Sequence, residues 1–255
     1  MRLTGCDEEN KRIGKKQYHG DKSLRSFVIP EGTTEIGDWA FSGCGELRKI
    51  ALPVSVWHIG KDAFSGCEKL NAATLYGGDK PFPGRLEMTL AVALRFFPEA
   101  DQVILAGKEG EDRYLTAWDL ACHRFLEKPD DEGYRPFFAG GEEDYEEEET
   151  GRDKYCQDRR RVKADIALVR LLASKRDGEY YLTSLRNNDK ALECLANSTL
   201  QPGPLVEIYE EAKLLTAENC RSVLEILPEE KVELRAILLQ KITQRSQSVL
   251  DKLLL

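Results

Sequence analysis

The chain has 255 residues, 32% of them charged, with a net charge of −8. Its length allows one or two domains. The lack of any run of 18 apolar residues excludes a transmembrane helix, and the acidic balance leaves no basic footprint for nucleic acid. The charge is unevenly spread: residues 1–80 hold 12 Lys/Arg against 11 Asp/Glu, and the remainder 25 against 34.

The first residues, Met1-Arg2-Leu3-Thr4-Gly5-Cys6-Asp7-Glu8-Glu9, contain no apolar core of a secretion signal, and this predicts a cytoplasmic protein. A period then sets in. Leu24 to Pro30 is replayed by Leu47 to Pro53, and Ile36-Gly37-Asp38-Trp39-Ala40-Phe41-Ser42-Gly43-Cys44 by Ile59-Gly60-Lys61-Asp62-Ala63-Phe64-Ser65-Gly66-Cys67. The offset is 23 residues, a spacing that marks stacked repeats. Within each unit Phe27 and Ile29, Ile50 and Leu52, and Ala73 and Leu75 form an apolar-x-apolar pair, which in an extended segment places both side chains on one face. One unit cannot bury that face alone; stacked units can, each adding a strand about 4.8 Å along the stack. Run backwards, the period reaches Ile13-Gly14, Tyr18 and Gly20, and then Thr4 and Cys6, so a degraded first unit begins near residue 1.

These residues resemble the BspA-type leucine-rich repeat. Residues 13–76 carry the pattern Leu-x-x-Φ-x-Φ-Pro-x-x-Φ-x-x-Ile-Gly-x-x-Ala-Phe-x-Gly-Cys-x-x-Leu, where Φ is apolar. The resemblance implies a bacterial protein-binding or adhesive module without catalytic residues, of a kind found on cell surfaces or secreted.

Gly77 to Gly84 ends the repeats with a Gly/Pro-rich linker, and the period becomes helical. Leu86 to Phe97 predicts a buried helix stopped by Pro98, and Tyr114 to Leu126 a second, with apolar positions 114, 118, 121, 122 and 125 on one face. Residues 128–152 read as a polar, acidic loop containing the run Glu142 to Glu149. From Val162 the chain predicts helices to its end: a stripe at 162, 166, 169 and 172, then short helices at 179–186 and 189–196. A break at Gln201-Pro202-Gly203-Pro204 precedes a helix over 205–215. Thr216 is read as the cap of a helix over 217–227, and a last helix covers 232–242. Paired helices of this length predict a helical-repeat-like domain, and the stretch 216–239 loosely resembles an ankyrin-type helix pair.

The expected fold class is α+β: a short, right-handed leucine-rich-repeat β-solenoid over 1–80 with one strand per unit, then an α-helical domain over 85–255 that covers its last rung. Seven cysteines, an odd number, argue against a disulfide scaffold. Cys44 and Cys67 fall on equivalent rungs, either as a disulfide pair or as buried thiols. His19, His58 and His123 have no partner at a recognised catalytic or zinc spacing, so no catalytic, cofactor or metal residue is assigned.

What remains is a surface. The intervening strand residues, Ser26 and Val28, Lys49 and Ala51, and Ala72 and Thr74, face away from the core. Trp39, Trp57 and His58 interrupt the repeat, where their equivalents are Asp62, Thr34 and Glu35. The candidate partner-binding residues are therefore Val28, Lys49, Thr74, Trp39, Trp57 and His58, for a protein partner whose identity the sequence does not give. The bland alternative makes them surface, or packing against helices; an enzyme with an unrecognised site in the helical part is the rival class.

Overall fold

The computed structural model describes the backbone of residues 11–134, 144–198 and 200–253, and the side chains of 11–134, 151–198 and 200–244. The upstream positions Thr4 and Cys6 lie outside the described residues. Two compact units are formed, Met1–Glu127 and Lys128–Leu255.

Among the described residues of the first unit six short strands alternate between two parallel three-stranded sheets. Strands β2 (Ser26–Val28), β4 (Lys49–Pro53) and β6 (Ala72–Tyr76) form one; β1 (Arg12–Ile13), β3 (Glu35–Ile36) and β5 (His58–Ile59) form the other. The register is the sequence period itself: Phe27 lies beside Ile50 and Ile50 beside Ala73, and Ile13 beside Ile36 and Ile36 beside Ile59. The expectation of one strand per unit is corrected to two. The second strand is only two residues long, too short to show an alternating pattern.

The core follows from that register. Phe41 stacks on Phe64 with centroids 5.2 Å apart and planes 4° from parallel, and Tyr18 continues the column at 5.0 Å. Phe27 closes on both Tyr18 and Phe41, so each unit's aromatic is sheathed by its neighbours. Ile29, Ile36, Leu47, Leu52 and Cys67 are fully buried beside it.

The glycine that opens each turn has a specific cause. A Cβ on Gly60 would lie 2.4 Å from the Asp38 nitrogen, and one on Gly37 would lie 2.7 Å from the Lys15 nitrogen. The requirement is the closeness of the preceding rung's backbone, with Gly60 N donating to Ile36 O at 2.7 Å. Lys16, Trp39 and Asp62, one rung apart in turn, share φ values of 57°, 53° and 53°, a left-handed turn tolerated by non-glycine residues because it recurs in a hydrogen-bonded ladder.

The stack is closed by helices α1 (Glu87–Phe96), α2 (Ala100–Glu109) and α3 (Glu111–Leu126). Helix α1 packs on β6, and Arg95 donates to Leu70 O at 3.4 Å. The three helices share a core of Tyr114, Trp118, Phe97 and Phe125. Inside it Trp118 Nε1 donates to Thr89 O at 2.8 Å, and the Thr89 hydroxyl meets Tyr114 OH at 2.8 Å. Helix α2 was not expected: Val103-Ile104-Leu105-Ala106 is too short an apolar run to distinguish helix from strand.

The second unit is helical among the described residues: α4 (Asp144–Ala173), α5 (Gly178–Arg186), α6 (Ala191–Asn197), α7 (Pro202–Glu211), α8 (Ala217–Ile226) and α9 (Val232–Leu253). Helices α5, α6 and α7 pack on α4, and α8 joins α6 to α9. The acidic loop expected to run to residue 152 is corrected, because α4 begins at Asp144. Its first turns are rich in Glu, a good helix former that also suits a helix start, so polarity there does not mean loop. The rest of the acidic run, Glu142 and Glu143, lies outside the described residues. Pro202, read as a break, is instead the first residue of α7, where its missing N–H is unneeded. Thr216 does cap α8, its hydroxyl accepting from Asn219 N at 3.1 Å.

Candidate functional site: the outward faces of the repeats

Alternation along β4 and β6 sends Ile50, Leu52, Ala73 and Leu75 inward and leaves Lys49, Ala51, Ala72 and Thr74 on the other side. Pairing then lines the outward residues into two rows across the rungs, Ser26–Lys49–Ala72 and Val28–Ala51–Thr74. Val28, Lys49 and Thr74 therefore share one face. Val28 is 39% exposed, an apolar group in water, and Tyr76, the next outward residue of β6, is half-buried with its hydroxyl donating to Ile29 O.

His58 opens β5 of the other sheet, and Trp57 immediately precedes it. Their rings lie 5.7 Å apart, and Trp57 is 52% exposed, so the packing alternative for its ring is only half met. His58 lies in register with Glu35 and, through it, Arg12, which pairs with Glu35 at 2.9 Å. Its Nδ1 lies 3.7 Å from an Asp101 oxygen of α2. Lys108, two turns on, donates to Val56 O at 2.7 Å; burial of its ammonium pushes its pKa down. Asp101 and Lys108 were missed from the sequence because α2 was missed.

Trp39 joins neither group. It sits in the turn after β3, half-buried, with the Lys15 and Lys16 ammonium groups 5.0 and 5.6 Å from its ring centroid. These cations and the positive φ account for it as a turn residue under two lysines.

A basic feature at the mouth of the first sheet was not singled out from the sequence. Arg25 and Arg48 precede β2 and β4 on equivalent rungs, and Arg25 O accepts from both Arg48 N (2.8 Å) and Lys49 N (3.4 Å). Both arginines and Lys49 are exposed. Glu46 lies near the two arginines: a hydrogen bond from Lys69 holds its carboxyl below the usual range, and the charges of Arg48 and Arg25 add to this.

The thiols resolve toward the bland reading. Cys44 and Cys67 are free and buried. Their sulfurs donate to Tyr18 O at 3.0 Å and Phe41 O at 3.2 Å, each satisfying a carbonyl of the preceding rung. Burial raises both pKa values, that of Cys67 to about 12, so neither is a nucleophile at neutral pH.

Residues 6–80 match the family model described as BspA type Leucine rich repeat region (6 copies). This segment is a BspA-type leucine-rich repeat region. The match begins upstream of residue 13 and so takes in part of the degraded first unit, from residue 6 on. No curated protein and no solved structure matches the chain. Among the described residues no helix is long and apolar enough to cross a membrane, and no cluster of His, Cys, Asp and Glu could hold a metal ion.

Proposed function

We propose that the chain is a non-enzymatic protein-interaction module of a bacterial leucine-rich repeat protein. In this reading the repeats are a short solenoid that offers its outward faces to a protein partner, and α1–α3 serve to close its last rung. The observation that carries it is the combination of a leucine-rich repeat region with an aromatic, Trp57, left half in water beside His58 on a rigid rung. Trp side chains at such positions are frequent anchors of protein interfaces, because one residue brings a large apolar area at little entropic cost. Val28, Lys49 and Thr74 make a second contact row, and Trp39 a third point at the turn. The helical second unit is read as scaffold.

A photo-crosslinking amino acid placed at Trp57, at Lys49 and, as a control, at exposed Glu225 of α8 tests the proposal in extract of the native host. The expected result is a discrete crosslinked protein from the first two positions and none from the third. Equal, diffuse labelling from all three would refute it.

A further inference from the structure

Helix α9 is apolar on two sides. One side faces inward: Leu234 and Leu238 are buried where α9 packs on α8 and α7, and Lys241 pairs with Glu210 of α7 at 2.6 Å. The other side carries Val232, Ala236, Leu239 and Thr243, all exposed, Val232 to 69% and Leu239 to 51%. A lone exposed Leu means little, since much of any protein surface is apolar. Here the residues are spaced by four, three and four, which places them in one stripe along the helix. The sequence carries the same alternation on through Ser246, Leu250 and Leu253, so seven successive stripe positions bear no charge. The charged residues of α9 all fall off the stripe.

Such an alternation over three heptads is the seam of a helix pair, because a 3.5-residue repeat keeps one face toward a partner helix of the same period. Helix α9 has 22 residues and α8 has 10. At about 1.5 Å per residue, α9 is about 33 Å long and α8 about 15 Å. A helix of α8's length cannot cover the seam, whereas one of α9's length can. Charge sets the direction. The approach to α9 and its first turn are acidic, with Glu229, Glu230 and Glu233 against Lys231 and Arg235; the far half is basic, with Lys241, Arg245 and Lys252 against Asp251. Two copies laid in the same direction would set like charge beside like. Reversed, each acidic start lies beside a basic end, and the two helix dipoles run head to tail.

We infer that α9 joins two copies of this chain as an antiparallel helix pair along the stripe, with Thr243 and Ser246 near the two-fold axis. Small residues at the axis let the two backbones approach, and the leucines of the stripe pack to either side of it. A seam of one helix per copy is at the low end of interface sizes, so the dimer is weak, with a dissociation constant of about 10–100 µM. The contact is independent of the repeats and of what they bind.

Sedimentation equilibrium on the full chain, from about 5 to about 300 µM, tests this. The expected result is monomer at the low end and mostly dimer at the high end. Leu239→Glu should raise the dissociation constant about tenfold or more, with the thermal melt of a dilute, monomeric sample unchanged as the check on folding. Direction is read with a short bis-maleimide linker: Thr243→Cys, near the axis, should be joined to its counterpart above the level of the wild-type chain, and Ala236→Cys, far from its counterpart in a reversed pair, should not. A chain still monomeric at the highest concentration, as a different occupant of the stripe would leave it, overturns the inference. So does a Leu239→Glu variant that dimerises like wild type, or an Ala236→Cys variant joined as readily as Thr243→Cys.

Discussion

Gly60→Ala is the sharpest test of how the rungs are held. The added Cβ would stand 2.4 Å from the Asp38 nitrogen, 2.6 Å from the Gly37 carbonyl carbon and 2.7 Å from Asp38 Oδ1. Ordinary carbon contacts begin near about 3.4 Å, so the methyl is roughly 1 Å short against two backbone atoms that cannot rotate away. Relief means prising this rung from the one before, at the expense of the Gly60 N to Ile36 O bond and the Asp38 Oδ1 acceptor for Lys61 N. Overpacking of about 1–3 kcal/mol, plus one or two weakened hydrogen bonds, comes to about 3 kcal/mol. With a urea slope of about 2 kcal/mol per molar, the midpoint should fall by about 1.5 M. The assay is selective, because Trp39, Trp57 and Trp118 all lie in the first unit and are the chain's full complement of three. Tryptophan fluorescence therefore follows that unit alone. Gly45→Ala is the control, as its Cβ would meet nothing within 4 Å. A Gly60→Ala midpoint within 0.3 M of wild type (about 0.6 kcal/mol on the same slope) would refute the close-approach account.

Cys67, with its pKa pushed up to about 12 by burial and by its neighbour Cys44, should resist iodoacetamide at pH 8 in the folded chain and react after urea unfolding; peptide mass mapping reads this, with half-exposed Cys156 as the labelled reference. Asp130 is raised by burial but held lower overall by hydrogen bonds from Lys163 and Arg160. Its stabilisation is therefore complete above its unfolded value, near about pH 4, and lost as pH falls through the lower folded value. Asp130→Asn should cost about 1 kcal/mol at pH 7, by urea unfolding followed at 222 nm, and nothing once both states are protonated. Thr216→Ala removes the acceptor for Asn219 N and should cost about 1 kcal/mol in the same assay.

The repeat was legible because its chemistry recurs: the 23-residue offset in the sequence is the strand register in the fold, and the buried set Phe27, Phe41, Leu47 and Cys67 is the recurring set. What escaped has identifiable physical causes. The strands at Glu35 and His58 are too short for alternation to register, so the second sheet was unseen. Gly37 and Gly60 recur at the repeat offset, yet the reason only glycine fits them is the backbone one rung away, which no local pattern contains. Helix α2 hides in a four-residue apolar run, and with it went Asp101 and Lys108, the groups that flank Trp57 and His58. The start of α4 was obscured by its charge, because a helix that is polar on all sides carries no periodic apolar signal. Of the candidate contact residues, Val28, Lys49 and Thr74 could be placed together from alternation alone.

The residues that build the stack and those it displays are interleaved but separate. Inward positions meet the neighbouring rung on both sides, so a change there is felt by the fold: Phe41→Ala removes a ring stacked on Tyr18 and Phe64 and should cost about 3–5 kcal/mol. The outward Val28 and Lys49 are joined to the next rung through backbone hydrogen bonds, which do not depend on the side chain. Val28→Ala or Lys49→Glu should therefore leave the fluorescence-monitored urea midpoint within about 0.3 M of wild type while changing whatever the face binds. A large stability loss in Lys49→Glu would mean that this side chain holds the rungs together, and the case for a display surface on that sheet would fail with it.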